Sequence, residues 1–266
     1  MFSDCHIHCR PDADGAEILK AMDKQQMDRA VLIAPSMTDS NETLVESIGI
    51  IKRICAPDPE RLLGFAWIEP TLSDAADHVK MAAGQGLPGV KMIPNHWYPY
   101  EERFYPVYEA IQEARKPLLF HSGILFGRGD SSRFCRPVFY EVMVHFPKVK
   151  FALAHISWPW TDECIAVAGR MRAAVRYKTE EMRMFIDITR GTPDYYRVDA
   201  LDKALKYIGP TRIMFGSDDH APGTFDYARR GIEGDHEIIC RQLAQPEEVF
   251  RRIASETLDE FLAPVE

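Results

Sequence analysis

Eight short apolar runs recur along this chain at intervals of about 27 to 35 residues, and that rhythm restricts the folds open to it. The runs are DCHIH (4–8), AVLIAP (30–35), LLGFAWIEP (62–70), GVKMIP (89–94), PLLFHSG (117–123), KFALAHIS (150–157), MFIDITR (184–190) and RIMFGSD (212–218). Each combines β-branched, aromatic or Leu/Met residues with flanking Pro, Gly, Ser or Asp, the pattern of a buried strand. Between them lie segments with helical spacing, at 15–25, 41–55, 73–84, 105–115, 136–146, 162–177 and 246–262, with Asn41 and Ser73 as predicted caps. Buried strands alternating with amphipathic helices pair in parallel and are covered by those helices. Eight evenly spaced units predict a closed (β/α)8 TIM barrel rather than an open doubly wound sheet.

The 266 residues suffice for one such domain, since single barrels run to about 250 residues. No linker, low-complexity tract or change of composition divides them, so a single domain over 1–266 is expected. No apolar run approaches the roughly 18 residues of a membrane span. With 32 basic and 40 acidic residues the net charge is −8, which argues against nucleic acid as a partner. Six cysteines without a CxxC pair, and no secretory signal, predict reduced thiols in a cytoplasmic protein. Gly84-Gln85-Gly86-Leu87-Pro88-Gly89 matches GxGxxG, yet it follows a helix and precedes a strand, the reverse of the dinucleotide-binding order.

The nine histidines divide by position. His78 and His145 fall in helical segments and His236 in a long C-terminal connection. The other six sit at or beyond strand C-termini: His6 and His8 on the first, His96 after the fourth, His121 on the fifth, His155 on the sixth and His220 after the eighth, which ends at Asp218. Residues i and i+2 of a strand share a face, so His6 and His8 project together. In a parallel barrel all strand C-termini open at one rim, where such folds carry their active sites. Imidazoles and one carboxylate converging there suit Zn2+, which accepts N and O donors and lowers the pKa of bound water toward about 7. Clustered histidines without a cation would repel one another once protonated.

The order HxH, LLFHSG, FALAHIS, MFGSD resembles the amidohydrolase superfamily, in its amidohydrolase-related branch. That branch includes aminocarboxymuconate semialdehyde decarboxylase and the pyrone dicarboxylate lactonases. The resemblance spans His6 to the last helix and implies that His6, His8, His121 and Asp218 hold one divalent metal. It further implies that His155 activates the bound water or joins a second metal, and that Asp218 shuttles the proton. Lys91 stands where relatives can carry a carboxylated, metal-bridging lysine; one metal is expected rather than two. The implied activity is hydrolysis, with metal-bound hydroxide attacking an amide, ester or lactone carbonyl of a small carboxylated substrate. The alternative is non-oxidative decarboxylation of a small unsaturated or aromatic acid, which would use the same core residues.

Loops after strands read substrates. Here they offer His96 and Trp97 after the fourth strand, Arg128 after the fifth, Trp158 after the sixth and Arg190 at the end of the seventh. Aromatic walls with arginine forks suit a small ring-bearing carboxylate. The expected partner is therefore a small molecule, and a homodimer is an assembly the sequence leaves open. Cys5 and Cys9 alternate with the histidines of the first strand and are expected to be packing thiols.

Overall fold

The computed structural model describes residues 1–127 and 129–265. Among the described residues nine parallel strands form one sheet: β1 (Phe2–Cys9), β2 (Met27–Ile33), β3 (Leu62–Trp67), β4 (Gly89–Met92), β5 (Leu118–Phe120), β6 (Phe151–Leu153), β7 (Met184–Asp187), β8 (Ile213–Met214) and β9 (Asp219–Ala221). The spatial order is β8-β7-β6-β5-β4-β3-β2-β1-β9. Its two outer members belong to one stretch of chain, 213–221, so the eighth predicted strand is split in two. β8 pairs with β7, and β9 pairs with β1 through Ile7–Asp219, His8–His220 and Cys9–Ala221. Between them the Cys5 amide donates to the Phe215 carbonyl at 3.0 Å, and the Asp218 amide to the His6 carbonyl at 2.9 Å. The sheet thus curls into a barrel whose last strand lies against its first, as the eightfold rhythm predicted.

Helices α1 (Gly15–Gln25), α2 (Asn41–Cys55), α3 (Ala75–Gly84), α4 (Tyr105–Ala114), α5 (Thr161–Ala174) and α6 (Asp194–Tyr207) connect strands, and α7 (Asp226–His236) follows β9. Among the described residues no helix is long and apolar enough to cross a membrane. The caps differ by one residue from expectation. Ser40, not Asn41, caps α2, in a reciprocal box with Thr43. Asp74 precedes α3 without a side-chain cap bond, and Ser73 donates to it instead. The predicted helix at 136–146 is a 3-10 helix over Pro137–His145. Its buried Pro137, Tyr140 and Met143 recur every three residues, the 3-10 repeat, and Pro147 disfavours α geometry just beyond. The C-terminal segment is interrupted, as α8 (Glu247–Arg251), a π turn and α9 (Thr257–Leu262). His236 is the last residue of α7 rather than part of a connection.

The two-residue strand period decides what fills the barrel. Near its base the inward positions are apolar. Phe65 of β3 and Phe185 of β7 both pack on Phe261 of α9, with ring centroids 6.3 and 5.2 Å away. Gly89 on β4 faces Phe65 so closely that a Cβ there would lie 2.3 Å from the ring. Truncating Phe261 should cost about 3–5 kcal/mol, the usual range for an aromatic lost from a core. Two residues further along β4 and β7 the inward positions turn polar, as Lys91 follows Gly89 and Asp187 follows Phe185, while on β1 they are polar throughout, at Asp4, His6 and His8. A dry aromatic floor therefore supports a layer of imidazoles, carboxylates and one lysine.

Candidate metal centre

β1 points Asp4, His6 and His8 inward on successive same-face positions. The Nε2 atoms of His6 and His8 lie 3.3 Å apart. Asp218 Oδ1 lies 3.5 Å from His6 Nε2 and 3.4 Å from His8 Nε2. These three donor atoms form a compact triangle that could hold a cation. Donors about 2.0–2.2 Å from a tetrahedral ion stand about 3.3–3.6 Å from one another, so the triangle has the edge lengths of such a site.

Asp187 orients the first of these ligands. Its Oδ2 is 2.7 Å from His6 Nδ1, and both side chains are fully buried. Thr189 donates to the other oxygen of Asp187 through its amide at 2.6 Å and through its hydroxyl. A carboxylate accepts, so His6 carries its proton on Nδ1 and presents the Nε2 lone pair to the triangle. Burial, and then the neighbouring Lys91, hold the His6 imidazole well below its ordinary pKa, hence neutral. His8 is lowered for the same first reason, with His6 next.

Asp4 ties the two halves of the triangle together. Its Oδ1 accepts from the amide of His6 at 2.9 Å and from that of Ser217 at 3.1 Å, so one buried carboxylate holds the backbone at one ligand and beside another. Asp218 itself sits at φ 64°, a left-handed conformation that aspartate tolerates better than most residues. Gly216 lets this turn approach: a Cβ there would meet the Thr189 hydroxyl at 2.3 Å and Asp187 at 2.9 Å. Burial raises the Asp218 carboxyl to about 7, with Lys91 opposing the shift.

Two further histidines flank the triangle. His121 follows β5; it is buried, and its Nε2 has no hydrogen-bond partner among the described residues. It lies outside the three-residue group, with its ring 4.9 Å from that of His155. His155, at the end of β6, stands 5.3 Å from the His6 ring. It opens three consecutive left-handed residues, His155, Ile156 and Ser157, a run that is strained for the β-branched isoleucine. Its Nδ1 faces the Arg190 carbonyl at 3.3 Å, and burial lowers it to about 4. Lys91, wholly buried, brings Nζ to 3.1 Å from His6 Nε2, and burial pulls it down to about 8.

A cavity of about 620 Å3 opens above this layer. Met37, Trp67, Ile93, Leu125 and Trp158 supply much of its apolar wall, and His8, His121, His155 and Asp218 its polar floor. Trp158, expected in the pocket from its place after the sixth strand, lies on this wall. Arg190 borders the cavity, but its guanidinium turns toward Asp194 at 3.4 Å and packs over Gly231 and Gly234 of α7. His96 is not on the wall; it points outward and stands 3.7 Å from Glu69. Trp97 is buried against Phe104, with ring centroids 5.1 Å apart, and Asn95 takes its place at the cavity. Arg128 lies outside the described residues. Arg10, paired with Asp12 at 3.1 Å, brings a cation to the wall that the loop reading missed. Cys5 is an interior thiol as predicted, whereas Cys9, also buried, borders the cavity. Asp4, Asp187 and His220, whose ring stacks on His8 at 5.8 Å, were not singled out as site residues. Alternation along DCHIH and MFID would have marked Asp4 and Asp187, since each precedes an inward polar residue by two positions.

A parallel barrel with imidazoles and carboxylates gathered at its strand C-termini has the layout of a metal-dependent barrel enzyme. The sequence profile of the amidohydrolase family matches residues 4–257, and the chain belongs to that family. No curated protein matches it by sequence. Among solved structures it is similar to 2,6-dihydroxybenzoate decarboxylase from Rhizobium, with TM-score 0.70, 14% identity and 98% of each chain covered. It is similar to a probable 2-pyrone-4,6-dicarboxylic acid hydrolase from Acinetobacter baumannii, with TM-score 0.67, 12% identity and 98% of each chain covered. A third is 5-carboxyvanillate decarboxylase from Novosphingobium aromaticivorans, complexed with manganese and 4-hydroxy-3-methoxy-5-nitrobenzoic acid. There the TM-score is 0.71 and the identity 12%, over 98% of this chain and 96% of that one. At these identities the likeness is one of fold.

Proposed function

We propose that this chain is a one-domain enzyme, dependent on one divalent metal, that hydrolyses an ester, lactone or amide bond in a small, carboxylated, largely planar molecule. The observation that carries this reading is the tautomer of His155. Its Nδ1 faces a carbonyl oxygen, which only accepts, so Nδ1 bears the proton and Nε2 is left basic. Burial keeps this cavity-lining ring neutral beside the donor triangle. A neutral imidazole there is the group that deprotonating a water requires.

The residues fit a divalent cation on three counts: the spacing of the triangle, the His6 tautomer set by Asp187, and the unpartnered Nε2 of buried His121. His6, His8 and Asp218 would hold it, with His121 beside them. When bound, the cation supplies Lewis-acid polarisation of the substrate acyl group and eases ionisation of water. Three imidazoles and a carboxylate favour Zn2+, and manganese is the alternative worth assaying. His155 Nε2 takes the proton from the attacking water. Asp218 relays that proton to the departing oxygen or nitrogen. Trp67, Trp158 and Ile93 flank the ring of the substrate and exclude water from its faces, and Arg10 can exchange Asp12 for a substrate carboxylate.

Decarboxylation is a reading of equal standing, favoured by the apolar wall. A flat aromatic acid laid on Trp67, Trp158, Ile93 and Leu125 would expose its ring carbon to the Asp218 proton as CO2 departs. One experiment separates the two. Metal-loaded protein is offered lactones, esters and aromatic carboxylic acids in 18O-labelled water. Hydrolysis places label in the product carboxylate without gas. CO2 release together with proton incorporation on carbon would overturn the hydrolase reading, and no turnover of either class by metal-loaded protein would overturn both.

A further inference from the structure

Away from the barrel mouth, a second set of potential ligands meets where α7 ends. His236 is the last residue of α7, Cys240 lies one turn on in the π turn Glu237–Gln242, and Glu247 opens α8. His236 Nε2 stands 3.0 and 2.9 Å from the two carboxylate oxygens of Glu247. Donor atoms of all three residues lie within 4.8 Å of one another. None of the three lines the cavity above the barrel.

We propose that His236, Cys240 and Glu247 form a second metal site, one that takes Zn2+ with three protein donors and leaves a position to water. The donor chemistry points that way: imidazole nitrogen, thiolate sulfur and carboxylate oxygen are the three ligand types zinc accepts, at about 2.0–2.3 Å each. A histidine–glutamate hydrogen bond joins the two helices, and the Cys240 thiol approaches the same carboxylate, so all three donors face one point. Phe250 holds the imidazole edge-on, with ring centroids 4.6 Å apart and planes at 82°, so the ring is oriented before an ion arrives. π turns that interrupt helices are frequent at functional positions. Cys240 is half-buried beside the hydrogen-bonded pair. The site is independent of the reaction proposed for the barrel mouth.

The test uses the full chain with the mouth disabled, as His6→Ala/His8→Ala, titrated with Co2+. One equivalent should bind with a near-ultraviolet sulfur-to-cobalt charge-transfer band, and adding Cys240→Ser should abolish that band. Zinc content of the otherwise unaltered chain should likewise fall by one equivalent in Cys240→Ser and in Glu247→Gln. This second measurement stands if the mouth variant fails to fold. A charge-transfer band that survives Cys240→Ser would overturn the assignment. So would cobalt bound without any such band, or zinc content unchanged in both single variants. Absence of turnover in the labelled-water experiment leaves these readouts untouched, so the two proposals fail separately.

Discussion

Asp187 and His6 meet in a 2.7 Å contact between Oδ2 and Nδ1, with both side chains shut off from solvent. The carboxylate has two oxygens and both are claimed: His6 takes one and Thr189 the other. Asparagine keeps the shape but offers a single acceptor, so Asp187→Asn must abandon either the imidazole or the threonine. Metal affinity in this variant should drop by about 10–100-fold, the usual effect of removing the group that orients a ligand histidine. Competition against a chromophoric chelator measures it, and an unchanged affinity would show that Asp187 does not orient the ligand.

Metal content should separate ligands from bases. His6→Ala, His8→Ala and Asp218→Asn are expected to lose the mouth metal while keeping the circular dichroism of the folded chain, because all three lie above the aromatic floor. His155→Asn should retain the metal and lose about 10²–10⁴-fold in kcat, the range for a missing general base. Elemental analysis in a Cys240→Ser background, which removes the other proposed site, reads the mouth alone. A metal-free His155→Asn would recast His155 as a ligand.

Gly191 sits against the His155 imidazole. A Cβ there would approach His155 Nδ1 to 3.2 Å and its Cβ and Cγ to 3.4 Å, so Gly191→Ala should push the ring off its carbonyl partner. A displacement of about 1 Å costs on the order of 10²-fold in rate. Steady-state kinetics should therefore show kcat falling with little change in thermal stability. Equal kcat in the variant would mean that the position of His155 has no part in the rate.

Behind β7, Arg197 donates to both oxygens of Asp235 at 2.6 Å and to the Ile188 carbonyl at 2.7 Å, with the ion pair almost wholly buried. Removing one member leaves a charge without a partner in the interior. Arg197→Ala should destabilise the fold by about 3–5 kcal/mol, whereas a double change to apolar residues of similar volume should recover most of that loss. Urea unfolding of the two variants checks the pair, and equal losses in both would argue for packing rather than charge.

Much of the site was legible because strand alternation is a local property. His6, His8 and Asp218 could be placed at one rim from periodicity alone, and the structure brings their donor atoms together. Trp97 and His96 show where that reasoning stops. They are neighbours in one loop, yet Trp97 folds into the core and His96 turns outward to Glu69. Loop side chains have no period to count. Arg190, three residues beyond β7, borders the cavity, but the glycines of α7 offer its guanidinium a berth away from it.

Taken by itself, the order of residues determined the barrel, the inward face of each strand and the residue types that reach its mouth, because these follow from the spacing of apolar and polar side chains along short segments. Only the tertiary structure decided which carboxylate holds His6 in one tautomer, that Asp4 spans β1 and the turn before β9, and that Lys91 reaches the same imidazole. Those pairings join residues as many as 213 positions apart. They depend on how strands are staggered around a closed ring, a quantity to which no single stretch of chain carries the key.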